Sequence, residues 1–260
     1  MGLVSAVAQC ALDFLIVEHC HACGARPGDE RSCPHPLAAP VDVVTAGRFR
    51  LTSRLLCAAC AAQVRPWGEP VVLPPAPPNR DETLVLHAAF VTDARLLAVI
   101  HLLKFGRRER IAPWLARAMK PAADAVLRSP GDGVIVAPVP MDASSRRRRG
   151  FNQAESIAST LAAGAGVVFR PHLLEKVRRT KPQSALGRAE RMKNLDGAFR
   201  ARADDARGRR VVLVDDLVTT GATVRACAHA LRASEAAEVV VVCAGYRDDS
   251  RPVTGPLLQS

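Results

Sequence analysis

Runs of aliphatic residues alternate with amphipathic stretches over most of the chain beyond residue 83. Three continuous apolar runs predict buried strands, at 133–141, 209–216 and 237–246. Helical patterns surround them: two helices in 93–119 broken near Gly106 and Pro113, one starting near Asn152, and one in 221–234. Strands that alternate with helices imply crossover connections, so the pattern predicts an α/β fold with a mostly parallel sheet.

Composition divides the chain into four predicted parts. Six of the eight cysteines fall within the first sixty residues, and a proline-rich stretch that disfavours helix follows them. The predicted parts are an N-terminal helix with a cysteine module at 1–65, an extended linker at 66–82, the α/β domain at 83–250 and a tail at 251–260.

The cysteine module carries two C-x2-C pairs, Cys20 with Cys23 and Cys57 with Cys60. Four thiolates at this spacing in a reducing compartment predict a tetrahedral, structural Zn²⁺ site. Metal ligation would supply folding energy that so short a segment cannot obtain from burial. Cys33 and His35 lie between the pairs, and they either bind a second ion or lie in a loop.

The net charge indicates what kind of partner the protein binds, and the N-terminal sequence indicates where in the cell it is located. The net charge of +11 suits a polyanion, either nucleic acid or a phosphorylated small molecule, although well-solvated surface arginines also explain it. Asp13 and Glu18 interrupt the N-terminal apolar run, and no Lys or Arg precedes Arg26. The sequence therefore predicts a soluble cytoplasmic protein without a secretion signal or a membrane span.

The stretch "VVLVDDLVTTGATV" at 211–224 contains the main candidate site. Asp215 and Asp216 are expected where the strand Val211–Val214 ends, at the edge of the sheet where ligands bind. Thr219, Thr220, Gly221, Ala222 and Thr223 then lead into a helix, where backbone N–H groups and hydroxyls suit a phosphate. Carboxylates repel phosphate, so the acidic pair faces hydroxyl groups, a metal ion or both. Ribose 5-phosphate meets both demands.

Three other interpretations compete with this one. A P-loop ATPase needs a G-x-x-x-x-G-K-[ST] loop, which this sequence lacks. In a receiver domain the acidic pair follows the first strand, and here too little chain follows it to complete a sheet. The third is an ordinary strand–turn–helix, but polar groups of this density rarely serve packing.

The stretch also resembles the phosphoribosyl diphosphate loop of type I phosphoribosyltransferases. Together with "VAPVPM", "RRRRGFNQAESIA" and "RRTKPQSALGRAERMKNLDGAF", it resembles the signatures of the ComF family. That resemblance implies a type I phosphoribosyltransferase-like sheet with helices on both faces, preceded by a zinc-ribbon-like module. It assigns Cys20, Cys23, Cys57 and Cys60 to the metal, Asp215 and Asp216 to the ribose hydroxyls, and Thr219–Thr223 to the 5′-phosphate. The long excursion with Cys33 and His35 departs from the family pattern.

Basic residues supply the candidates for a diphosphate. Arg149 and Gly150 follow the strand at 133–141, where a phosphoribosyltransferase places its pyrophosphate loop, and an arginine fork suits diphosphate oxygens. Lys104 is a weaker candidate. We interpret Lys176–Arg210 as a mobile segment that closes over the site. Its candidate polar contacts are Arg179, Lys181, Gln183, Arg191 and Asn194.

Two functions remain open. The first is an enzyme, or an enzyme-like binder, of phosphoribosyl diphosphate with Mg²⁺, in which Asp215, Asp216 and Lys181 are the candidate catalytic residues. Its acceptor is not evident from the sequence. The second, implied by the resemblance, is an accessory protein of DNA uptake that binds single-stranded DNA or a DNA-uptake helicase. In that case the arginines would bind the DNA backbone in a salt-dependent manner.

Overall fold

A computed structural model of the chain describes residues 20–25, 56, 58–75, 83–106, 109–128, 133–178, 180, 190 and 194–247. The chain divides into two compact units. The first comprises residues 1–65, 93–99 and 253–260, and the second comprises 66–92 and 100–252. The predicted N-terminal helix and tail, with Cys33, His35 and Cys57, lie outside the described residues.

The second unit is built on a six-stranded sheet that is parallel except at one edge. The strands in chain order are β1 Val71–Leu73, β2 Leu84–Val91, β3 Val134–Pro138, β4 Val168–Phe169, β5 Leu174–Lys176, β6 Phe199–Ala201, β7 Arg210–Val218 and β8 Glu238–Tyr246. The sheet order is β1-β2-β8-β7-β3-β4, with only β1 antiparallel to its neighbour. Strands β5 and β6 form a separate antiparallel pair. The predicted parallel α/β sheet is therefore confirmed.

Helices cover both faces of this sheet. Among the described residues the helices are α1 Ala58–Ala62, α2 Ala94–Phe105, α3 Ile111–Leu127, α4 Ala143–Arg149, α5 Gln153–Ala165, α6 Ala203–Ala206 and α7 Ala222–Ala233. Side chains alternate between the faces of a strand, so β7 buries Val211 and Leu213 on one face and Val212 and Val214 on the other. The first face packs against α7, and α3 and α5 pack together on the second. Burial on both faces explains the continuous apolar runs in the sequence.

Several predicted boundaries are wrong. Pro113 does not break a helix but lies in the first turn of α3. Backbone N–H groups in the first turn of a helix have no intrahelical acceptor, so a proline there removes no hydrogen bond. The strand expected to end at Val214 continues to Val218, because β7 remains paired with β8 as far as Tyr246. The described part of the proline-rich stretch contributes β1 to the sheet.

The segment predicted to be mobile from Lys176 to Arg210 is folded at both ends. Lys176 pairs with Phe199 across the β5–β6 ladder, and Leu195 is buried in the core. The interpretation is therefore wrong for the described part of this segment. Within the described part of the chain, every helix is too short or too polar to cross a lipid bilayer.

Candidate functional site

The cysteines of the first unit converge as the metal prediction requires. The sulfur atoms of Cys20, Cys23 and Cys60 lie within 4.8 Å of one another, and Cys20 and Cys60 are buried. A tight turn brings the first two together, because the Gly24 N–H donates to the Cys20 carbonyl at 2.8 Å. Tetrahedral Zn²⁺ with Zn–S bonds of about 2.3 Å needs sulfurs at about this separation. Three thiols so placed fit zinc, and Cys57, the fourth predicted ligand, lies outside the described residues.

The acidic pair lies within the central part of the second unit, near the carboxyl end of β7. Asp215 pairs with Cys243 in the β7–β8 ladder. Alternation along the strand turns the two carboxylates towards opposite faces of the sheet. Asp216 is 5% exposed, whereas Asp215 is only partly buried and lines a cavity that it shares with the following turn.

The two carboxylates have different electrostatic partners. The Nζ of Lys104 lies 2.9 Å from an Oδ of Asp216. Burial, and then the charge of Asp216, raise the pKa of Asp215 to about 7, while the Lys104 ammonium acts in the opposite direction. Asp215 therefore sits at the edge of ionisation near neutral pH, and any group that stabilises its charge, including a sugar hydroxyl, favours the carboxylate.

The turn after β7 forms the other wall of the same cavity. Its lining runs from Asp215 and Leu217 through the threonines to Val224. Gly221 precedes α7 with φ of +75°, which favours glycine, and a Cβ there would lie 3.0 Å from the end of the Leu73 side chain, which would have to shift. The Thr220 hydroxyl accepts a hydrogen bond from the Ala222 N–H at 3.4 Å. A narrow amide-lined turn at a helix N-terminus is suited to a phosphate group.

The arginine-rich stretch after β3 forms the short helix α4, which the sequence analysis did not predict. Asp142 caps its start by accepting a hydrogen bond from the Ser145 N–H at 2.8 Å, and Gly150 ends it with φ of +87°. Although burial alone would raise the pKa of Asp142, hydrogen bonds from Ser144 and Ser145 hold it below its ordinary value. These two cap residues were the sequence signal for a helix.

Arg149 ends α4 among groups that suit an anion. Its guanidinium carbon lies 5.2 Å from the centre of the Phe105 ring, and its Nη1 is 3.4 Å from the Gln153 side-chain oxygen. Among the described residues, the buried Nε of Arg149 and Nε2 of Gln153 have no hydrogen-bond partner. Unsatisfied buried donors are costly, so their presence here marks a place where an acceptor would be favoured.

Another cation, Lys176 of β5, lies near the start of α4. Lys176 is half-buried, which lowers its pKa, and the charge of Asp142 opposes that effect. Its ammonium lies 6.0 Å from the centre of the Phe199 ring. The sequence pattern identified Lys176 only as the first residue of a segment predicted to be mobile. It did not predict that Lys176 lies beside Asp142, the residue that caps the start of α4.

The structure brings together some predicted residues and not others. Asp215 and the turn at 219–223 share one cavity, and Lys104, expected near the diphosphate, instead pairs with Asp216. The Asn194 carbonyl accepts a hydrogen bond from Arg178 at 2.9 Å, which ties it to the base of its segment. The remaining predicted contacts of that segment lie outside the described residues: Arg179, Lys181, Gln183 and Arg191. Cys227 and Cys243 are fully buried core residues, as predicted, and burial raises their pKa.

The chain is similar to one domain family, to two proteins of known sequence and to one solved structure. The phosphoribosyl transferase domain family matches residues 147–253. The chain is 34% identical over 206 residues to the DNA utilization protein YhgH of Salmonella typhimurium, which covers 72% of this chain and 88% of that protein. It is 33% identical over 104 residues to competence protein ComFC of Bacillus subtilis, covering 39% and 40%. A crystal structure of adenine phosphoribosyltransferase aligns with a TM-score of 0.37 at 16% identity, covering 69% of this chain and 85% of that one.

Proposed function

This chain belongs to the ComF family, and we propose that its phosphoribosyl transferase domain binds phosphoribosyl diphosphate together with Mg²⁺. One observation carries the proposal: Asp215 and the glycine-containing turn that leads into α7 line a single cavity, in the stretch from Asp215 to Val224. The carboxylate is suited to sugar hydroxyls and the turn to the 5′-phosphate. A ribose phosphate carries hydroxyl groups on its ring and a phosphate at its 5′ end, so one molecule can contact both the carboxylate and the turn.

The diphosphate is assigned to the α4 side of the site. Arg149 and Gln153 supply buried donors that have no hydrogen-bond partner in the part of the chain that the structure describes, and Lys176 adds a half-buried positive charge. Mg²⁺ would travel with the diphosphate and neutralise part of its charge. The segment that contains Lys181 is proposed to cover this end, and its basic residues would exclude water from the reacting centre.

The reaction we propose is substitution at the anomeric carbon of the ribose. The bond from that carbon to the diphosphate oxygen breaks, a bond to an acceptor nucleophile forms, and the acceptor loses a proton as pyrophosphate leaves. Release of pyrophosphate in a screen of nucleobases and amines would identify the acceptor. Binding without turnover is the alternative, because a fold can keep its ligand and lose its chemistry.

Calorimetric titration tests the binding. Phosphoribosyl diphosphate should give heat with wild type in the presence of Mg²⁺, and much less heat without it. The double variant Asp215→Asn with Asp216→Asn should bind nothing while it remains folded. Asp124→Asn, on helix α3, which contributes no residue to the lining of the cavity, is the matched control and should bind as wild type does. Absence of heat with wild type would refute the proposal.

A second candidate function, binding of single-stranded DNA, is favoured by exposed arginines on α4 and by the names of the relatives. Arg147 and Arg148 are exposed, and the Arg148 guanidinium donates a hydrogen bond to the Ser145 hydroxyl at 3.1 Å. Fluorescence anisotropy with single-stranded DNA should then rise at low salt and fall steeply as salt is added. The pair Arg147→Ala and Arg148→Ala should reduce it, whereas Arg207→Ala, also exposed, should not. Unchanged anisotropy at low salt would exclude this function.

The metal proposal concerns the first unit. Cys20, Cys23, Cys57 and Cys60 would hold one Zn²⁺ whose role is structural, with no part in the chemistry at the sheet. Elemental analysis of the purified protein tests the stoichiometry. More than one zinc per chain would indicate that Cys33 and His35 bind a second ion.

A further inference from the structure

The two neighbouring aspartates of β7 do not do the same job. Asp215 lines the ligand cavity, and strand alternation places its side chain on the same face as Val211 and Leu213, the face that packs against α7. Asp216 is 5% exposed and is turned to the opposite face, where its nearest ionic partner is Lys104. A ligand in the cavity therefore meets one carboxylate directly.

Lys104 makes the burial of Asp216 possible. The side chain of Lys104 is 23% exposed and that of Asp216 is 8% exposed, and their charged atoms are 2.9 Å apart. Removing one partner of such a pair leaves an uncompensated buried charge, which is far more costly than losing an exposed pair. The ammonium also halves the formal negative charge of the acidic pair. That matters because a ribose phosphate is itself an anion and two uncompensated carboxylates would repel it.

The same helical turn supports the other end of the site. Phe105 follows Lys104 at the end of α2, and its ring lies under the guanidinium of Arg149. Adjacent residues thus contact the hydroxyl-binding strand and the arginine assigned to the diphosphate. The end of α2 therefore contacts the strand that carries Asp215 and the arginine assigned to the diphosphate, although it contributes nothing to the lining of the cavity at 215–224.

We infer that Lys104 is a positioning residue of the ribose site, which neutralises and holds Asp216 so that Asp215 is the carboxylate presented to the sugar hydroxyls. This inference rests on the proposed function for its ligand, but the Lys104–Asp216 pair it invokes exists without ligand. Two experiments separate these parts.

The first experiment measures binding of ribose 5-phosphate by calorimetry. Lys104→Met keeps the aliphatic stem and removes the charge, and it should weaken binding about tenfold. Lys104→Arg should stay within about threefold of wild type, because it restores the charge. The matched control is Lys120→Met, which breaks the Lys120–Asp124 pair on α3, 2.7 Å long and remote from the site, and should have no effect.

Dependence on Asp216 distinguishes positioning from a general structural effect. In an Asp216→Asn background Lys104 has no Asp216 charge to hold and acts only on Asp215, so adding Lys104→Met should weaken binding clearly less than it does in wild type. An equal loss in both backgrounds, or wild-type affinity in Lys104→Met, would overturn the inference while leaving the proposed function intact.

The second experiment needs no ligand. Lys104→Met should lower the denaturation midpoint at neutral pH more than Lys120→Met does, and the double variant Lys104→Met with Asp216→Asn should recover part of that loss. If the loss is no larger than that of Lys120→Met, or if the double variant recovers nothing, the pair has no such role and the inference fails. Should wild type bind no ribose phosphate, the proposed function fails, and this experiment alone decides whether Lys104 compensates Asp216.

Discussion

Replacing Asp215 with asparagine should stabilise the ligand-free protein even though it removes ligand binding. Burial and the charge of Asp216 raise the pKa of Asp215 from 3.8 to about 7, so folding disfavours the ionised form. The contribution of Asp215 to the free energy of unfolding is therefore fully present at pH values below its pKa in the unfolded chain. That contribution is lost as the pH rises through its pKa in the folded protein. Asparagine keeps the shape of the side chain and has no charge to lose.

The size of the effect follows from the same shift. A shift of the carboxyl pKa from 3.8 to about 7 corresponds to a loss of about 4 kcal/mol in the free energy of unfolding above neutral pH, where the group is ionised. Asp215 is only partly buried and opens onto a cavity, so screening by water reduces this to about 1–2 kcal/mol. For a protein of this size that is a rise of about 2–8 °C in melting temperature at pH 8.

Thermal denaturation at a series of pH values, without Mg²⁺ or sugar phosphate, measures the stability difference between Asp215→Asn and wild type. The gain of Asp215→Asn over wild type should grow from near zero at about pH 4 to a plateau above pH 7. Asp142→Asn is the control with the opposite sign, since hydrogen bonds lower the pKa of Asp142 and its stabilising effect is lost as pH falls. A gain that does not change with pH, or a loss at pH 8, would refute the reasoning.

Three further predictions concern the glycine turn, the arginine side and the metal. Gly221→Ala places a Cβ at φ of +75° and 3.0 Å from Leu73, so it should cost about 1–2 kcal/mol in a denaturant titration and abolish binding of inorganic phosphate; full stability would contradict the assigned backbone. Phe105→Ala removes the ring beneath Arg149, so calorimetry should show two- to fivefold weaker binding of phosphoribosyl diphosphate, a loss of about 0.5–1 kcal/mol. The affinity for ribose 5-phosphate should not change. Equal losses of affinity for both ligands would place Phe105 elsewhere in the site. Cys60→Ser should abolish zinc in elemental analysis and unfold the first unit by circular dichroism, whereas retained zinc would exclude Cys60 as a ligand.

The long strands and helices of the second unit could be predicted because their patterns are strong. Strands β7 and β8 are buried on both faces, and that burial requires the continuous valine runs seen in the sequence. Helix α5 begins where expected because the Asn152 side chain accepts a hydrogen bond from the Ala154 N–H. In both cases the residues that form the element also carry its signal.

Short elements escaped prediction because tertiary contacts stabilise them. Strands β1, β4, β5 and β6 have two or three residues each, too few for a periodic pattern. Helix α4 has no buried residue, so its arginines show no apolar face and only the caps Asp142 and Gly150 reveal it.

The candidate site was predictable in residue type but not in geometry. Asp215, Asp216 and the turn at 219–223 were recognisable from their order along the chain. Their division of labour was not, because it depends on a lysine more than a hundred positions earlier in the chain that the fold brings to Asp216. Long-range pairs of this kind have no local signal in a single sequence.

The most direct test of the account is a crystal soaked with ribose 5-phosphate. We expect the phosphate against the backbone amides of the turn at 219–223 and the sugar hydroxyls within hydrogen-bonding distance of Asp215, with Lys104 still paired to Asp216. A sugar phosphate bound elsewhere, with the cavity between Asp215 and Val224 empty, would contradict the central claim.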